Sequence, residues 1–572
     1  MPPIEKDGKP HIPKYGTSGF RGSPRVILPI ACRMTALMTI RCLVARKERL
    51  VKTPTSTLCG ICFTASHNPP KDNGIKLIDL DGENIPDKWE ELAGEMVRWS
   101  DFDAIQLLQA QLLKAHISEE DIIESKIALG RDSRPSGELL LKAACEVLDA
   151  LQVVHVDCGL VTTPEMHFTM SAAFQNDCDG KIPPPVRSLG MSGPNYIDHL
   201  ARVFQQLWEE KCFSHEKKWT FVVDCANGVG SLKFQNLQDK LATLLRIETV
   251  NTRIGDPECL NCLCGSDFVL ESGKSMETFQ SLLAPFIKHR TENALIFTSF
   301  DGDCDRLVCA VWVDGEFTVL GGDHLQALFV CFIRKLLSET SEAFSLAAVQ
   351  TPYGNGNLTK LFCDDFGLDV KIVPPGVKNC HRQSLKNDIG VYFEANGHGS
   401  VTFSHKVRTI LCQRFQKSNV AADRILYLVS NLFSQTCGDA IANMLCVPLA
   451  LHYCGFNVRG WKGIFKPLPH ASMRITLPRP VHIRTNWEQT RIVDPCDLQA
   501  SIDRILDESI ALQDEKRIEF AKALRCFVRP SGTEPILRVY VEGLEESVNF
   551  HVLDELARLL ENYVKEFFYR TA

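Results

Sequence analysis

Three aspartates alternate in one short loop, DGDCDR, here named the aspartate loop, which follows the apolar run IFTSF. The carboxylates of Asp301, Asp303 and Asp305 can converge only where the loop curls around a cation, because their mutual repulsion is otherwise uncompensated. The loop is not an EF-hand, since its sixth residue is Arg306 in place of glycine and its twelfth is Trp312 in place of glutamate. A phosphatase-like aspartate nucleophile and a solvated acidic turn remain alternatives. The third aspartate and the adjoining arginine favour a metal site beside a phosphate.

A second candidate is a serine at the end of a strand-like run. Ser66 lies in TASHNP, here named the serine loop, between the apolar run LCGICF and the polar stretch PKDNGIK. A serine beside a histidine at the end of a strand could act as a nucleophile. A serine before Asn-Pro is, however, most often a turn or N-cap residue. This motif alone therefore leaves both interpretations open.

Arginines flank a third loop, RPSGTE, here named the phosphate loop. Arg529 opens the loop, and Arg538 follows in the next strand-like run, ILRVYVEG. Small residues expose backbone N–H groups that can wrap an oxyanion, and two arginines supply forked, charge-assisted hydrogen bonds. The pattern predicts a phosphate site, although a polar hairpin with surface arginines has the same composition.

A fourth loop, EANGHG, here named the sugar loop, follows the apolar run GVYF. Glu394 and Asn396 place a carboxylate and an amide at the end of a strand. Such side chains accept hydrogen bonds from, and donate them to, the paired hydroxyls of a sugar ring. Taken alone, this motif is a weak signal.

Two groups of cysteines could in principle bind zinc. Cys59 and Cys62 lie in a strand-like run, where residues three apart point to opposite faces. Cys259, Cys262 and Cys264 in ECLNCLCG form a better group, but no second pair and no nearby His-x3-His completes a tetrahedral site. We therefore interpret most of the 23 cysteines as reduced, buried small hydrophobes.

Composition excludes several classes of protein. Apolar residues make up 45% and charged residues 23% of the 572 residues, which is ordinary for a soluble globular protein. The net charge is −7 and the only dense basic run is RKERLVK, so a nucleic-acid or membrane-surface partner is disfavoured. The polar N-terminus has no signal-peptide core, and we find no uninterrupted apolar stretch long enough to span a bilayer. We expect a cytoplasmic protein.

Alternating strands and helices must position these loops. Residues 127–157 predict a βαβ unit, with the strand KIALG, the helix ELLLKAACEVLDAL and the strand VVHVDCG. FVVD opens a second unit, and IFTSF and LVCAVWV flank the aspartate loop, with a hairpin turn at Asp314-Gly315. These segments predict repeated parallel-sheet α/β modules. An amphipathic helix, SVNFHVLDELARLLENYVKEFF, is expected to cover the last sheet.

Length predicts roughly three to five domains. Breaks in the pattern fall in IPPPVRSLGMSG, near residue 290, and in the 405–440 region. The chain then divides into an α/β domain with the serine loop, a second α/β domain, a third with the aspartate and sugar loops, and a C-terminal domain with the phosphate loop: 1–181, 182–290, 291–430 and 431–572.

Six motifs together resemble the α-D-phosphohexomutase superfamily, in the order found there. They are YGTSGFRG (15–22), TASHNPPKDNGIK (64–76), GRDSRPS (130–136), FDGDCDR (300–306), FEANGHG (393–399) and RPSGTEPILRVY (529–540). The resemblance covers essentially the whole chain. Within the superfamily, VDCANGVG, CGSDFV and EANGHG are similar to the branch that acts on acetylhexosamine phosphates. It implies four domains around a central cleft, three of them α/β and the fourth a smaller α+β domain.

The resemblance also implies a reaction. Ser66 would carry a phosphoryl group, donate it to a bound hexosamine phosphate, and take back the other phosphate of the bisphosphate intermediate. N-acetylglucosamine 6-phosphate and 1-phosphate would thereby be interconverted, for UDP-N-acetylglucosamine biosynthesis. One Mg²⁺ would bind to Asp301, Asp303, Asp305 and the phosphorylated Ser66.

The remaining site residues are likewise implied by the resemblance. Acid–base and charge-stabilising roles fall to Arg21, His67 and Lys76. Contacts to the sugar would come from Glu394, Ala395 and Asn396. The phosphate that is not reacting would be held by Arg529, Pro530, Ser531, Gly532, Thr533 and Arg538.

Some features depart from the family pattern. Cys304 replaces alanine in the aspartate loop, and Pro374-Pro375 precede Gly376 where a threonine is usual. The segments 23–50 and 170–195 match poorly and receive no element. A glucose or mannose phosphomutase, a non-catalytic phosphosugar-binding relative, and a hydrolase that loses the phosphoryl group to water remain alternative functions.

Overall fold

The computed structural model describes most of the chain, with short gaps. The described residues are 13–16, 19–47, 58–98, 101–117, 126–177, 196–210, 219–272, 295–415, 417–476, 483–511, 524–531, 536–543 and 550–570. They form three α/β units and a smaller C-terminal α+β unit. The predicted fold class is confirmed.

The first unit is built on a five-stranded sheet of order β1-β3-β2-β4-β5. The strands β2, β4 and β5 are parallel, and β1 and β3 are antiparallel to their neighbours. The predicted βαβ unit is confirmed as β4, a helix and β5. The strands are β1 (Phe20–Gly22), β2 (Leu58–Phe63), β3 (Asn73–Ile78), β4 (Lys126–Arg131) and β5 (Val154–Leu160). The helices are Pro24–Lys47, Asp87–Arg98, Asp101–Lys114, Gly137–Ala150 and Thr163–Asp177.

The helix Pro24–Lys47 occupies a segment to which the sequence analysis assigned no element. It starts with a proline at its first position, which suits the fixed φ of proline. In the described part of the chain it is the one helix long and apolar enough to cross a membrane, but 72% of its most apolar stretch is buried inside the fold. Val26, Ile30, Met34 and Leu37 all belong to the core of the first unit. The helix is therefore a core element.

The second sheet has the order β10-β9-β8-β6-β7 and carries the aspartate loop. The predicted turn at Asp314-Gly315 joins β9 to β10, with φ values of 58° and 79°. The sheet spans the boundary predicted between 290 and 291, so the aspartate loop belongs to the second unit and not to the third. The strands are β6 (Trp219–Asp224), β7 (Leu245–Val250), β8 (Leu295–Phe300), β9 (Leu307–Val313) and β10 (Glu316–Leu320). The helices are Tyr196–Glu209, Ser231–Leu241 and Ser266–Ser272.

The third sheet has the order β12-β11-β13-β14, and the sugar loop is the turn between β13 and β14. One apolar core runs through the second and third units. The boundary predicted at 430–431 falls inside a helix of this core. The strands are β11 (Leu346–Gln350), β12 (Asp369–Ile372), β13 (Ile389–Phe393) and β14 (Gly399–Phe403). The helices are Gly322–Glu339, Gly356–Lys360, Val377–Ser384, His405–Phe415, Ala421–Leu432, Ala440–Cys454 and Val458–Lys462.

The C-terminal unit is an antiparallel sheet of order β15-β19-β18 with a separate β16-β17 hairpin. Val528 and Val539 face a core completed by Leu553 and Leu560 of the closing helix, which confirms that the last helix covers this sheet. The strands are β15 (His470–Thr476), β16 (Arg484–Thr485), β17 (Ile492–Asp494), β18 (Arg525–Pro530) and β19 (Ile536–Glu542). The helices are Cys496–Ala511 and Phe550–Arg570.

The loop CANGVG supports the aspartate loop through close contacts between their backbones. The loop CANGVG follows β6, the parallel neighbour of β8, so the two loops leave the same edge of the sheet. The Val229 amide donates to the Gly302 carbonyl at 3.2 Å. A Cβ atom added at Gly228 would lie 2.5 Å from the same carbonyl oxygen. The close approach therefore requires a glycine at 228.

We predict that Gly228→Ala displaces the aspartate loop and destabilises the protein. Overpacking of a close contact costs about 1–3 kcal/mol, because backbone atoms have no alternative rotamer to adopt. Thermal unfolding followed by circular dichroism measures the loss. Gly255→Ala is the matched control, since a Cβ there meets no atom within 4 Å. Equal melting temperatures for both variants would contradict the packing argument.

Candidate active site

The serine loop and the aspartate loop meet where β2 and β8 end. Ser66 is buried and has a φ of 51°, in the left-handed region. Its Oγ donates a hydrogen bond to Asp303 Oδ2 at 3.1 Å and accepts one from Arg21 Nη2 at 3.2 Å. The serine loop and the aspartate loop, which are more than two hundred residues apart in the sequence, are thus in direct contact.

One carboxylate oxygen of Asp303 accepts hydrogen bonds from several side chains. Asp303 Oδ2 accepts hydrogen bonds from Ser66 Oγ, from Thr64 Oγ1 at 3.2 Å and from Thr163 Oγ1 at 2.7 Å. Lys76 Nζ lies 2.7 Å from the same oxygen, and 2.7 Å from Asp305 Oδ2. Burial lowers the pKa of Lys76, but the two neighbouring carboxylates have the larger combined effect. The pKa of Lys76 is therefore raised above its ordinary value. The lysine is therefore a fixed positive charge in this arrangement.

The three aspartates fit a hard divalent cation. Ligand oxygens of Asp301, Asp303 and Asp305 lie within 4.8 Å of one another, and all three residues are buried. Within the described chain, Asp301 Oδ2, Asp303 Oδ1 and Asp305 Oδ1 have no hydrogen-bond partner. Burial and the two neighbouring carboxylates raise the pKa of Asp301 well above its usual range. Unpaired carboxylate oxygens of this kind are the ligands that Mg²⁺ prefers.

Arg134 organises the serine loop, a role that was not predicted from the sequence. Its guanidinium is completely buried and pairs with Asp132 at 3.0 Å. It also donates to four backbone carbonyls at 2.7–2.8 Å, those of Ser66, Asn68 and Pro69 in the serine loop and that of Asp72 shortly after it. The motif GRDSRPS contains this arginine, but its role depends on carbonyls more than sixty residues away.

Arg21 and His67 flank Ser66. Arg21 Nη1 lies 3.4 Å from Asn68 Oδ1, which holds the guanidinium over the serine loop. His67 Nε2 lies 3.9 Å from Asp267 Oδ2 of the second unit. Burial, Arg306 and Arg21 together lower the pKa of His67 well below its usual range, so the imidazole is neutral. Its Nδ1 has no hydrogen-bond partner among the described residues.

The sugar loop lies beside the aspartate loop and is held by backbone contacts. The Glu394 carboxylate accepts from the Gly376 amide at 2.9 Å, and Gly376 has a φ of 127°. The Ala395 carbonyl accepts from the Gly322 amide at 3.1 Å. Asn396 Oδ1 accepts from the amide of His398 at 3.0 Å, within its own loop. The glycine after the unusual Pro-Pro pair therefore fixes Glu394.

The Glu394 carboxylate is influenced by the charges of two arginines. Burial raises the pKa of Glu394, whereas the charges of Arg306 and Arg529 act in the opposite direction. The first of these arginines belongs to the aspartate loop and the second to the phosphate loop. The charges of both loops therefore act on this carboxylate.

The phosphate loop places two arginines opposite each other. Arg529 of β18 is the direct cross-strand partner of Arg538 of β19, so both side chains lie on the same face of the sheet. Like charges in such a pair are unfavourable unless an anion lies between them. The Ser531 amide donates to the Ile536 carbonyl at 2.9 Å. Gly532 and Thr533 lie outside the described residues.

A third arginine extends this row and was not foreseen. Arg474 of β15 is the cross-strand partner of Arg538 on its other side. Its guanidinium lies 3.8 Å from the carboxylate of Glu271 in the second unit. The alternation of apolar and polar residues in HASMRIT could have indicated a strand, but only the strand pairing aligns the three arginines.

The cysteine-rich segment ECLNCLCG is not a metal site in the described structure. The aspartate triad is the one group of three or more His, Cys, Asp or Glu residues there whose ligand atoms converge. Cys259, Cys262 and Cys264 are free thiols.

Family models match three parts of the chain. Domain I of phosphoglucomutase/phosphomannomutase matches residues 47–104 and 101–182, and the C-terminal domain of the same group matches 495–559. Domain III of the phosphoacetylglucosamine mutase AMG1 matches residues 321–456. The three matches follow the order of the units.

Whole-chain comparisons agree. The chain is 32% identical to the phosphoacetylglucosamine mutase of Sus scrofa over 541 residues, which cover 93% of this chain and 91% of the relative. The crystal structure of an N-acetylglucosamine-phosphate mutase in its product complex has a TM-score of 0.83 at 28% identity and covers 99% of this chain and 98% of its own. The Aspergillus fumigatus N-acetylphosphoglucosamine mutase in complex with GlcNAc-6P and magnesium has a TM-score of 0.79 at 26% identity and covers 97% and 96%. The chain therefore belongs to the phosphoacetylglucosamine mutase family of the α-D-phosphohexomutase superfamily.

Proposed function

We propose that this chain interconverts N-acetylglucosamine 6-phosphate and N-acetylglucosamine 1-phosphate through a phosphoserine at Ser66. Membership of the family supports this isomerase activity and its substrate. The observation that carries the proposal is the buried contact of Ser66 Oγ with Asp303, whose second oxygen has no partner among the described residues. A phosphoserine at this position would sit beside a cation site, as phosphoryl transfer requires.

The reaction consists of two phosphoryl transfers. In the first, the bond between phosphorus and Ser66 Oγ breaks and a bond from phosphorus to the free sugar hydroxyl forms, which gives a sugar bisphosphate. The bisphosphate then reorients in the cleft. In the second transfer its other phosphate returns to Ser66, and the sugar leaves with the phosphate at the new position. Neither water nor free phosphate takes part.

Three side chains of the first unit have assigned roles. Arg21, 3.2 Å from Ser66 Oγ, stabilises negative charge on the transferring phosphoryl group. Lys76, held between two carboxylates, supplies a second fixed positive charge. His67 follows Ser66 directly and has a ring nitrogen without a partner in the described chain, so we assign it the transfer of the hydroxyl proton.

One Mg²⁺ would be held by Asp301, Asp303, Asp305 and the phosphoserine, and it would supply Lewis-acid neutralisation of the charge on the phosphoryl oxygens. The three aspartate oxygens that have no hydrogen-bond partner in the described chain support this assignment. The relative from Aspergillus fumigatus, with magnesium and GlcNAc-6P, supports it independently.

We assign the orientation of the sugar to the sugar loop and the phosphate loop. We assign contacts with the ring hydroxyls to Glu394, Ala395 and Asn396. We assign the distant phosphate to the phosphate loop, whose described members with this role are Arg529, Pro530, Ser531 and Arg538. The clamp must accept either phosphate in turn, because the intermediate reorients between the two transfers.

We further propose a cytoplasmic location and no nucleic-acid or membrane partner. The cysteines of the described chain are free thiols, which suits a reducing compartment. The only partners that the proposed reaction needs are the phosphosugars and the bisphosphate intermediate. The reaction supplies N-acetylglucosamine 1-phosphate for UDP-N-acetylglucosamine biosynthesis.

We expect Ser66→Ala to remove most of the mutase activity while the chain remains folded. The alanine removes the atom that carries the phosphoryl group but leaves the backbone contacts of the serine loop in place. Phosphopeptide mapping of the wild-type protein should find phosphate on Ser66. A fully active alanine variant, with phosphate found only elsewhere in the wild type, would refute the nucleophile.

Asp303→Asn should lower turnover far more than it lowers affinity for the phosphosugar. The cation acts on charge that develops in the transition state, so its loss affects kcat more than ground-state binding. Steady-state kinetics under chelator-controlled magnesium measures both constants. Asp239→Asn, on the exposed face of helix Ser231–Leu241, is the surface control. Turnover equal to wild type in Asp303→Asn would argue against a metal site.

The sugar and phosphate loops should affect different kinetic constants. Arg529→Ala should weaken every hexose phosphate alike, by roughly 2–5 kcal/mol if a buried charge pair is broken. Glu394→Ala should mainly lower turnover, because a misplaced ring holds its hydroxyl out of line with the phosphoserine. Specificity constants for N-acetylglucosamine 6-phosphate and glucose 6-phosphate provide the comparison. A clear preference of the wild type for glucose 6-phosphate would assign the chain to the phosphoglucomutase function instead.

A further inference from the structure

Gln489 lies in the turn of the β16-β17 hairpin and contacts the phosphate loop. Its side-chain oxygen accepts a hydrogen bond from Arg529 Nη1 at 2.8 Å. Gln489 has a φ of 61°, which is uncommon for a residue other than glycine, asparagine or aspartate. The surrounding structure therefore has to stabilise this backbone conformation.

Asn486 provides that stabilisation. Its Oδ1 accepts hydrogen bonds from the amides of Thr490 at 2.9 Å and Arg491 at 3.0 Å. The backbone amide of Asn486 donates to the Arg491 carbonyl, and the backbone amide of Gln489 donates to the Asn486 backbone carbonyl at 3.1 Å. Asn486 Nδ2 also donates to Glu488 and Thr490, so the turn is closed on itself by six hydrogen bonds. Its geometry directs one side chain, that of Gln489, at the guanidinium of Arg529.

The other partners of Arg529 are also uncharged. Nε donates to the Tyr353 hydroxyl at 3.0 Å, and Nη1 also donates to the Pro530 carbonyl at 3.0 Å. The guanidinium carbon lies 5.3 Å from the centre of the Tyr353 ring. Arg529 is only 8% exposed, yet among the described residues no carboxylate lies within 4 Å of it. The hydrogen-bond acceptors of Arg529 in the described chain are therefore neutral, and none of them forms an ion pair that would compete with a bound anion.

Two other arginines of the molecule show the contrast. Arg525 starts the same strand and pairs with the carboxylate of Glu542 at 3.1 Å. Arg134 pairs with the carboxylate of Asp132 at 3.0 Å. Both hold loops or units together, and in both the positive charge is already compensated. Arg134 is as buried as Arg529 and Arg525 is partly exposed, so the feature that separates Arg529 from both is the chemistry of its acceptors.

We propose that Gln489 is a positioning residue of the phosphate site: it fixes the guanidinium of Arg529 with a neutral acceptor, so that the charge and the remaining N–H groups stay available to a sugar phosphate. The inference rests on the proposed function in one respect, the binding of phosphate by Arg529. Within the described part of the chain, Nε donates to Tyr353, Nη1 donates to Gln489 and Pro530, and Nη2 has no hydrogen-bond partner. Neutrality of the acceptor is the essential property.

Replacement of the amide by a carboxylate of the same shape tests this directly. In Gln489→Glu the acceptor atom stays in place, but the new ion pair is stronger than the original hydrogen bond and competes with the phosphate. We expect KM for N-acetylglucosamine 6-phosphate to rise roughly tenfold, with kcat within about twofold of wild type and an unchanged or higher melting temperature. A purely structural role predicts the same melting temperature but an unchanged KM.

Three further variants complete the test. Gln489→Gly relieves the positive φ but removes the acceptor, and KM should rise roughly threefold, less than in the glutamate variant. Glu488→Gln is the control for charge in the same turn, since Glu488 accepts from Asn486 Nδ2 at 2.9 Å and does not contact Arg529; KM should stay within twofold. Arg529→Ala reports on the phosphate site itself.

Binding of inorganic phosphate, measured by isothermal titration calorimetry on the full chain, gives a readout independent of turnover. Weaker binding by Gln489→Glu, with Glu488→Gln like the wild type, supports the proposal. Arg529→Ala with impaired binding and Gln489→Glu with normal binding and normal KM overturns the inference alone. Normal binding and normal KM in Arg529→Ala overturn the phosphate clamp of the proposed function and the inference together.

Discussion

Three carboxylates buried within 4.8 Å of one another impose the constraint on which the rest of this structure depends. Such a cluster is unfavourable unless positive charge and hydrogen-bond donors surround it. The fold supplies Lys76 between Asp303 and Asp305, and backbone amides of the same loop at Asp301. One oxygen of each aspartate has no hydrogen-bond partner among the described residues. The same arrangement that leaves these oxygens for a cation holds Ser66 in contact with Asp303.

The aspartate loop is also the point at which the units join. The Thr163 amide of the first unit donates to the Asp303 carbonyl at 3.0 Å, and the Ala440 amide donates to the Cys304 carbonyl at 3.0 Å. The Leu307 amide donates to the carbonyl of Gly397 in the sugar loop at 3.2 Å. A shift of the loop would therefore move the serine loop and the sugar loop together. This is a physical reason for a reaction centre built from several units in one cleft.

Elements that depend on a local sequence pattern could be predicted from the sequence. The βαβ unit at 127–157, the hairpin at Asp314-Gly315 and the closing helix are set by periodicity and turn chemistry, and all three are present. The helix Pro24–Lys47 was missed because it is buried on most sides, so its apolar residues show no clear face. The boundary near 290 was misplaced because β8, β9 and β10 return to the sheet begun by β6, and sheet pairing is not visible in sequence. Arg134, Thr163 and Gln489 were missed for a related reason, since their partners lie 40 to 140 residues away.

The central claim is that Ser66 exchanges its phosphoryl group with the sugar and not with water. A single-turnover chase tests it most directly: enzyme labelled with ³³P on Ser66 is mixed with unlabelled N-acetylglucosamine 6-phosphate and quenched at intervals. The account predicts that the label leaves the protein, appears first in a sugar bisphosphate and then in sugar monophosphate, with none in inorganic phosphate. Label that is released as inorganic phosphate, or that remains on the protein while product forms, would contradict it.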